Sequence, residues 1–232
     1  MTPTALVTGA SRGLGLALAT ELSRRGWRLV VDARDAGRLA AAVAGLPRPG
    51  LVTAVPGDVA DPAHRAALAA AAGDRLDLLV NNASALGPVP LPRLADLPPA
   101  VLEDLLRTNA VAPVALVQAV LPALERAGGT VVSVSSDAAV EPYAGWGGYG
   151  AGKAALDLLT AVLAVEHPAL RVVAVDPGDM ATDMHAAADP GADPAGLADP
   201  ADVAAALLTL LEGDLPGPRV RLADLVPSAV SR

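Results

Sequence analysis

Two side chains that could move a proton, Tyr149 and Lys153, stand four residues apart. Residues at that spacing lie on one face of a helix, so the lysine ammonium would sit close to the tyrosine phenol. A neighbouring positive charge favours the ionised phenol, so the pair predicts a tyrosine whose pKa falls from its ordinary value of about 10 toward a catalytically useful range. Ser136, thirteen residues before Tyr149, adds a hydroxyl that could hydrogen-bond a substrate oxygen.

A glycine-rich turn near the amino terminus could bind a nucleotide. Together with the tyrosine, lysine and serine, it would form a nucleotide-dependent redox site. The sequence TGASRGLG at 8–15 follows an apolar strand and opens a helical pattern. Its glycines permit a sharp turn and a close approach to a pyrophosphate, and the amino end of the helix offers free N–H groups. This context predicts a phosphate site built by Gly9, Ser11, Arg12, Gly13, Leu14 and Gly15.

Short β-branched segments alternate with alanine- and leucine-rich helical patterns along the chain, which is typical of βαβ units. The pattern predicts an α/β fold: a single doubly wound Rossmann domain over 1–232, with a parallel sheet of about seven strands and helices on both faces. Strands are expected near 4–8, 28–32, 51–55, 76–80, 130–135, 170–175 and 218–222. Helices are expected near 13–25, 36–45, 61–72, 98–125, 148–166 and 200–212.

Composition narrows the classes of partner. The 232 residues are 53% hydrophobic and 18% charged, with a formal net charge of −8, so we expect neither disorder nor binding to nucleic acid or an anionic membrane. The longest uncharged stretch, 108–124, is shorter than a membrane span. There is no cysteine, and His64, His167 and His185 match no ligand spacing, so no metal site is expected. No targeting segment is visible, which predicts a cytoplasmic protein.

These motifs, in this order, resemble those of the classical short-chain dehydrogenase/reductase family. The matches run over nearly the whole chain: TGASRGLG at 8–15, Asp58-Val59, NNAS at 81–84, Asn109, Ser136, Tyr149, Lys153 and Pro177-Gly178. The resemblance implies an oxidoreductase that transfers hydride reversibly between a nicotinamide and a small carbonyl or alcohol substrate. It implies that Ser136 and Tyr149 meet the substrate oxygen and that Tyr149 transfers the proton. Lys153 would lower the tyrosine pKa and hold the nicotinamide ribose, and Asn109 would hold a water of the proton relay.

The resemblance also assigns cofactor contacts outside the glycine turn. These are Asp58 and Val59 beside the adenine, Asn81 and Ala83 in the floor of the site, and Pro177, Gly178 and Thr182 at the nicotinamide end. Ser84 departs from the family's usual glycine. Its role stays open, as do those of Tyr143, Trp146 and His185.

Cofactor choice is expected to depend on the end of the second strand, where Asp32, Ala33 and Arg34 follow one another. In the resembling family, NAD-preferring members carry an acid at the position that is Ala33 here. Arg34 and Arg12 could grip the 2′-phosphate of NADP(H) as guanidinium forks, so NADP(H) is favoured over NAD(H). Strand alternation should point Asp32 away from the ribose, although a shifted register would bring it in.

Other functions on this scaffold stay open: an NAD(H)-preferring dehydrogenase, a non-catalytic NADP(H) sensor, and a non-redox epimerase or dehydratase. The residues do not specify the substrate. The weakly periodic stretch 179–200 is expected to be a substrate loop that acts as a mobile lid. Helices near 100–125 and 154–165 are apolar around much of their circumference, which predicts a homodimer or homotetramer.

Overall fold

The computed structural model describes residues 2–191 and 193–225. Its strands are β1 (Thr4–Val7), β2 (Arg28–Ala33), β3 (Val52–Pro56), β4 (Leu78–Asn81), β5 (Thr130–Val134), β6 (Arg171–Asp176) and β7 (Arg219–Arg221). They form one seven-stranded sheet in the order β3-β2-β1-β4-β5-β6-β7, with every neighbouring pair parallel. The chain reverses its direction of travel across the sheet between β1 and β4, where a doubly wound fold places its ligand. The predicted fold class is confirmed.

The described residues contain eight α-helices: α1 (Gly13–Arg24), α2 (Ala36–Ala44), α3 (Pro62–Ala72), α4 (Pro99–Leu106), α5 (Ala112–Ala127), α6 (Gly147–Glu166), α7 (Asp183–Ala188) and α8 (Pro200–Glu212). The carboxylates of Asp35, Asp61 and Asp199 cap α2, α3 and α8 by accepting from first-turn N–H groups. Proline then occupies the first position of α3 and α8, where its missing N–H has no cost.

Two apolar clusters, one on each face of the sheet, hold the helices in place. Along β1, Ala5 and Val7 belong to one cluster and Leu6 to the other, because successive strand residues point to opposite faces. Leu18 of α1 and Leu207 of α8 fill the first cluster and are fully buried. Residues of α3 and α5 fill the second. Each buried leucine contributes about 2 kcal/mol, so the sheet is a rigid platform for the loops at its carboxyl edge.

The long helix expected over 98–125 is interrupted in the structure. A π-helical turn, Arg107–Val111, separates α4 from α5, and α5 runs to Ala127, where Gly128 ends it with φ +60°. By composition and length alone, Pro99–Ala127 and Gly147–Glu166 resemble membrane spans. In the fold, α5 packs on α3, β4 and β5, while α6 packs on α4, β5 and β6.

The segment 179–200, expected to be a loop, contains the short helix α7 and a 3₁₀ turn at Pro194–Gly196. Both ends of the segment are tied together: Ala181 N donates to Ala198 O at 2.9 Å, and Ala198 N donates to Asp179 O at 3.1 Å. Thr182 caps α7 by accepting from His185 N at 3.2 Å. A six-residue helix in which three residues are alanine has too little apolar periodicity to be recognised from its sequence.

Candidate active site

The glycine turn after β1 has a backbone that only glycine tolerates. Gly9 and Gly13 have φ of +69° and +55°, and a Cβ on Gly15 would lie 2.4 Å from Gly9 O. Asn82 clamps the turn by donating from Nδ2 to Thr8 O at 2.7 Å. Within the described residues no side chain caps the start of α1, so its first N–H groups are available to an anion. The turn therefore fits a pyrophosphate.

A cavity of about 370 Å³ extends from this turn along the carboxyl edge of the sheet. Its walls contain most of the residues expected from the sequence to bind the cofactor or act in catalysis. They are Gly9, Ser11, Arg12, Gly13, Leu14, Arg34, Asp58, Val59, Ala83, Ser136, Tyr149, Lys153, Pro177, Gly178 and Thr182. Three expected residues, Gly15, Asn81 and Asn109, do not line the cavity but are buried in the layer behind its wall.

Tyr149 lies in the first turn of α6, and Lys153 follows one turn later. Both are buried, and the lysine Nζ donates to Val134 O at 2.7 Å while lying 5.5 Å from the centroid of the Tyr149 ring. The glycines around them allow close packing. A Cβ on Gly150 would lie 2.5 Å from Ala138 O, and one on Gly152 would lie 3.0 Å from Asn109 Cβ.

Burial acts on the two groups in opposite directions. It raises the pKa of Tyr149 to about 12, against the hydroxyls of Ser84 and Ser136, which lower it. It lowers the pKa of Lys153 to about 8, partly offset by the Asp157 carboxylate. The expected lowering of the tyrosine pKa is wrong for this structure, because desolvation of the phenolate dominates and the ammonium is directed at the Val134 carbonyl.

Ser136 follows β5 and places its hydroxyl on the cavity wall. Its Oγ donates to Asp137 Oδ1 at 2.9 Å and accepts from Ala138 N at 3.1 Å. Asp137 is held from its other side by the Tyr143 hydroxyl at 2.9 Å. Burial raises the pKa of Asp137, but the hydrogen bonds from Tyr143, Ser136 and Ala138 outweigh it, so the pKa is lowered. The residue next to Ser136 is therefore an anion at neutral pH.

Asn109 lies in the π-helical turn and contacts the segment that follows β4. Its Oδ1 accepts from Ala85 N at 2.8 Å and from Ser84 Oγ at 3.2 Å, and its Nδ2 donates to Ala85 O at 2.8 Å. These bonds bring the Ser84 hydroxyl to the cavity wall near Tyr149. Ser84 thus adds a hydroxyl to the site, a role that its sequence position did not reveal. The water relay through Asn109 stays a prediction.

The other end of the cavity is rich in guanidinium groups. Arg34 and Arg38 line it from the end of β2 and the start of α2, and Arg12 lines it from the glycine turn. Arg12 also forms an ion pair with Asp183 of α7 at 2.8 Å. Arg38 was not expected from the sequence. The available signal was its place in the first turn of α2, directly after the end of β2.

Asp32 also lines this end of the cavity, but both of its carboxylate oxygens have partners within the protein. It is only 1% exposed, and its Oδ1 accepts from Gly9 N at 2.7 Å while its Oδ2 lies 3.0 Å from His64 Nε2. The carboxylate therefore supports the glycine turn from behind, on the face of the sheet covered by α3. Strand alternation predicted this direction, whereas the pairing with His64 was not predicted.

The end of the cavity that is expected to hold the nicotinamide is formed by the turn after β6. Asp176 Oδ1 accepts from Gly178 N at 3.0 Å, and Gly178 has φ +76°. Trp146 lies edge-on to Tyr149, with ring centroids 5.6 Å apart, and Met180, Met184 and His185 complete the wall. Trp146 and His185 are thus cavity residues, whereas Tyr143 contributes through its bond to Asp137.

Comparison with known proteins agrees with this geometry. Residues 3–193 match the family model of short chain dehydrogenases. The chain belongs to this family. It is 36% identical over 171 residues to the short chain dehydrogenase penD of Penicillium thymicola, covering 69% of this chain but only 62% of that protein, less than two thirds of its length.

Two further similar proteins are covered over more of their own length. The chain is 36% identical over 195 residues to the sepiapterin reductase of Mus musculus, covering 77% of this chain and 75% of that enzyme. The crystal structure of an alcohol dehydrogenase from the archaeon Thermococcus sibiricus, complexed with 5-hydroxy-NADP, superposes with a TM-score of 0.85 at 26% identity. That match covers 100% of this chain and 99% of the other. The short-chain dehydrogenase is therefore an oxidoreductase by family, with the family's sheet complete in the described residues.

Proposed function

We propose that this short-chain dehydrogenase is NADP(H)-dependent and transfers hydride reversibly between the nicotinamide and a small carbonyl or alcohol, with Tyr149 as general acid and base. One observation carries the proposal: the Tyr149 phenol, two serine hydroxyls and the Lys153 ammonium share one cavity with an uncapped glycine turn at its other end. A site that only bound a nucleotide would gain nothing from a buried phenol placed next to a charged amine.

The residues present fit NADP(H) better than NAD(H). The pyrophosphate would lie on the N–H groups at the start of α1, and a 2′-phosphate would meet Arg12, Arg34 and Arg38. The acid that would accept from a ribose 2′-hydroxyl is absent at Ala33, and Asp32 is already bonded to Gly9 and His64. The 5-hydroxy-NADP in the Thermococcus enzyme supports the same choice.

When bound, the nicotinamide supplies or accepts the hydride. As hydride reaches a carbonyl carbon, negative charge grows on the oxygen and must be met by donors. A Tyr149 pKa of about 12 keeps the phenol protonated at neutral pH, ready to give its proton in reduction. The Ser136 hydroxyl can rotate from Asp137 toward the same oxygen. Lys153, with a pKa of about 8, can return a proton to Tyr149 and hold the ribose hydroxyls.

The substrate end of the cavity favours an apolar or aromatic carbonyl compound. Trp146, Met180 and Met184 form its wall, and thioethers adapt to aromatic groups of varied shape. The anionic Asp137 at Ser136 would repel a carboxylate placed beside the reacting carbonyl. We therefore propose neutral ketones and aldehydes over keto acids.

The test is the loss of reduced-nicotinamide absorbance with a panel of neutral carbonyls and matched keto acids. We expect NADPH oxidation with at least one neutral carbonyl and the loss of most of this activity in Tyr149→Phe. Tight NADPH binding without turnover would favour the sensor. Substrate conversion without net NADPH loss would favour an epimerase or dehydratase, and a faster reaction with NADH would favour the NAD(H) alternative.

A homo-oligomer is also proposed, because α6 exposes a stripe of large apolar side chains. Leu158, Val162 and Val165 recur at helical spacing and are 68%, 42% and 82% exposed, with Leu159 beside them at 40%. Exposed stripes of this kind mark protein–protein contacts. A second copy of α6 would cover them in a two-fold symmetric dimer.

A further inference from the structure

Arg219, the first residue of β7, touches three parts of the active site from behind. Its Nε donates to Asp157 Oδ2 at 2.8 Å, and one terminal nitrogen donates to Ser136 O at 3.0 Å and to Asp176 Oδ2 at 3.3 Å. The side chain is 28% exposed. Arg219 lies outside residues 3–193, which match the family model, so nothing in that match assigns it a role.

Each of the three contacts leads directly to a group of the reaction site. Ser136 O belongs to a residue whose side chain lines the cavity. Asp176 bonds Gly178 N at 3.0 Å and so holds the turn at the nicotinamide end. Asp157 lies one helical turn after Lys153 on α6. A planar guanidinium with five fixed donors can hold three such groups at set angles, which a flexible ammonium does less well.

Arg219 also balances the charge around Lys153. The charged group that acts directly on this lysine is Asp157 of α6, and the Tyr149 ring lies 5.5 Å from the lysine Nζ. Two further carboxylates, Asp137 after β5 and Asp176 of β6, act on the neighbouring Tyr149. Arg219 pairs with two of these three carboxylates, Asp157 and Asp176. Asp157 Oδ1 is buried and has no hydrogen-bond partner within the described residues. The bond from Arg219 to Asp157 Oδ2 is therefore the main compensation for the negative charge of this carboxylate. Without Arg219, the field at Lys153 becomes more negative.

We propose that Arg219 is a positioning residue of the active site: its guanidinium fixes the Ser136 turn, the Asp176–Gly178 turn and α6 relative to one another and sets the charge felt by Lys153. The effect on turnover rests on the proposed function. The effect on Lys153 does not, because it can be measured without cofactor or substrate.

The chain allows a direct measurement, since Lys153 is the only lysine in the sequence. In protein labelled with ¹³C-lysine, the single Cε resonance reports the ionisation of this one amine. We expect a midpoint near pH 8 in the wild type. Arg219→Met should raise the midpoint by about half a unit or more, because an opposing positive charge is lost. Asp157→Asn should lower it by a similar amount, because a negative charge is lost while the side-chain shape is kept.

Arg221→Met is the matched control. Arg221 lies two residues along β7 and also faces Asp176, but at 4.0 Å and with 53% of its side chain exposed. Its loss should leave the Lys153 midpoint unchanged. Arg219→Lys keeps the positive charge but loses the planar array of guanidinium donors. It should keep the Lys153 midpoint near that of the wild type.

In turnover, Arg219→Met should lower kcat at least about tenfold, the effect of losing a charge-assisted hydrogen bond. The KM for NADPH should change little, because the arginine is far from the phosphate end. Arg219→Lys should restore only part of kcat. Opposite shifts of the Lys153 midpoint in Arg219→Met and Asp157→Asn, with Arg221→Met unchanged, would support the proposal, even if no carbonyl were reduced and the proposed function failed. A Lys153 midpoint that is the same in all variants, or wild-type kcat in Arg219→Met, would overturn it.

Discussion

Asp32 and His64 form a buried pair in which Asp32 Oδ2 lies 3.0 Å from His64 Nε2. This contact makes one carboxylate oxygen of Asp32 unavailable to a cofactor. The second oxygen is occupied by Gly9 N at 2.7 Å. Burial raises the pKa of Asp32, and the bonds from His64 and Gly9 oppose that rise. Gly57 makes room for the pair, because a Cβ there would lie 2.2 Å from His64 Nδ1. The end of β2 therefore presents Ala33 and Arg34 to a ligand.

Removal of Arg34 should weaken the preference for NADPH. A guanidinium bound to a phosphate contributes about 1.5 to 3 kcal/mol, so Arg34→Ala should raise the KM for NADPH by roughly ten- to a hundredfold and that for NADH far less. Adding Ala33→Asp should extend the change, because a carboxylate there would accept from a ribose 2′-hydroxyl and repel a 2′-phosphate. Steady-state kinetics with both cofactors measure the ratio of the two KM values.

Arg24→Ala, a change on the outer surface of α1, is the control and should leave the cofactor ratio unchanged. The opposite result is also well defined. A wild type that prefers NADH, and that loses the preference in Asp32→Ala but not in Arg34→Ala, would show that Asp32 contacts the ribose.

Tyr149→Phe should keep the fold and the affinity for NADPH and lose most turnover, because it removes only the transferable proton and a donor to the substrate oxygen. Lys153→Ala should weaken both binding and turnover. Cofactor binding followed by fluorescence and kcat from absorbance separate the two effects. Retention of more than about a tenth of wild-type kcat by the phenylalanine variant, a loss smaller than general acid catalysis supplies, would contradict the role of Tyr149.

Lys153 should cost stability at neutral pH. Its folded-state pKa of about 8 lies below its ordinary value of 10.5, so the unfolded chain binds more protons between these two values. Stability is then expected to rise with pH from about 8 to 10.5, and the penalty below pH 8 is on the order of 3 kcal/mol. Lys153→Met should remove this slope.

Urea denaturation at pH 7 and pH 10 tests this expectation. At pH 7 the methionine variant should be the more stable protein while lacking activity, and at pH 10 the two should converge. A methionine variant that is less stable at pH 7 would mean that the bond from Lys153 to Val134 O outweighs the desolvation of the amine.

The sequence predicted best what depends on local geometry. The glycine turn at 8–15 is constrained by its own backbone, and the i, i+4 spacing of Tyr149 and Lys153 determines their shared helix face. Properties that depend on distant contacts were missed. The Tyr149 pKa depends on burial by the surrounding loops, the partner of Asp32 comes from α3, and the contact of Ser84 requires the π-helical turn at Asn109. Arg219 lies sixty-six residues after Lys153 in the chain and meets its surroundings only through the sheet order.

The segment 179–200 should become more ordered when ligand binds. Its two ends are joined through Ala181 and Ala198, so we expect the change in the part between them, which includes α7, Gly191 and Gly196. An exposed ion pair between Asp183 and Arg12 connects this part of the segment to the glycine turn. A 2′-phosphate would compete with Asp183 for that arginine. Amide exchange in 182–197 should slow when NADP(H) and a substrate bind. Equal protection in free and bound protein would identify a static surface loop.

The α6 stripe should hold two copies of the chain together. Leu158→Glu combined with Val165→Glu would bring like charges into a two-fold interface and expose them to an apolar surface, so the double variant should be monomeric at micromolar concentration where the wild type is a dimer or tetramer. Light scattering measures the mass directly. Leu94→Glu is the matched control, because Leu94 is 67% exposed, close to the 68% of Leu158, but packs beside Gly147 at the start of α6, eleven residues before the stripe begins. A monomeric wild type would contradict the proposed oligomer, and dissociation by Leu94→Glu instead of the α6 pair would place the interface on another face of the protein.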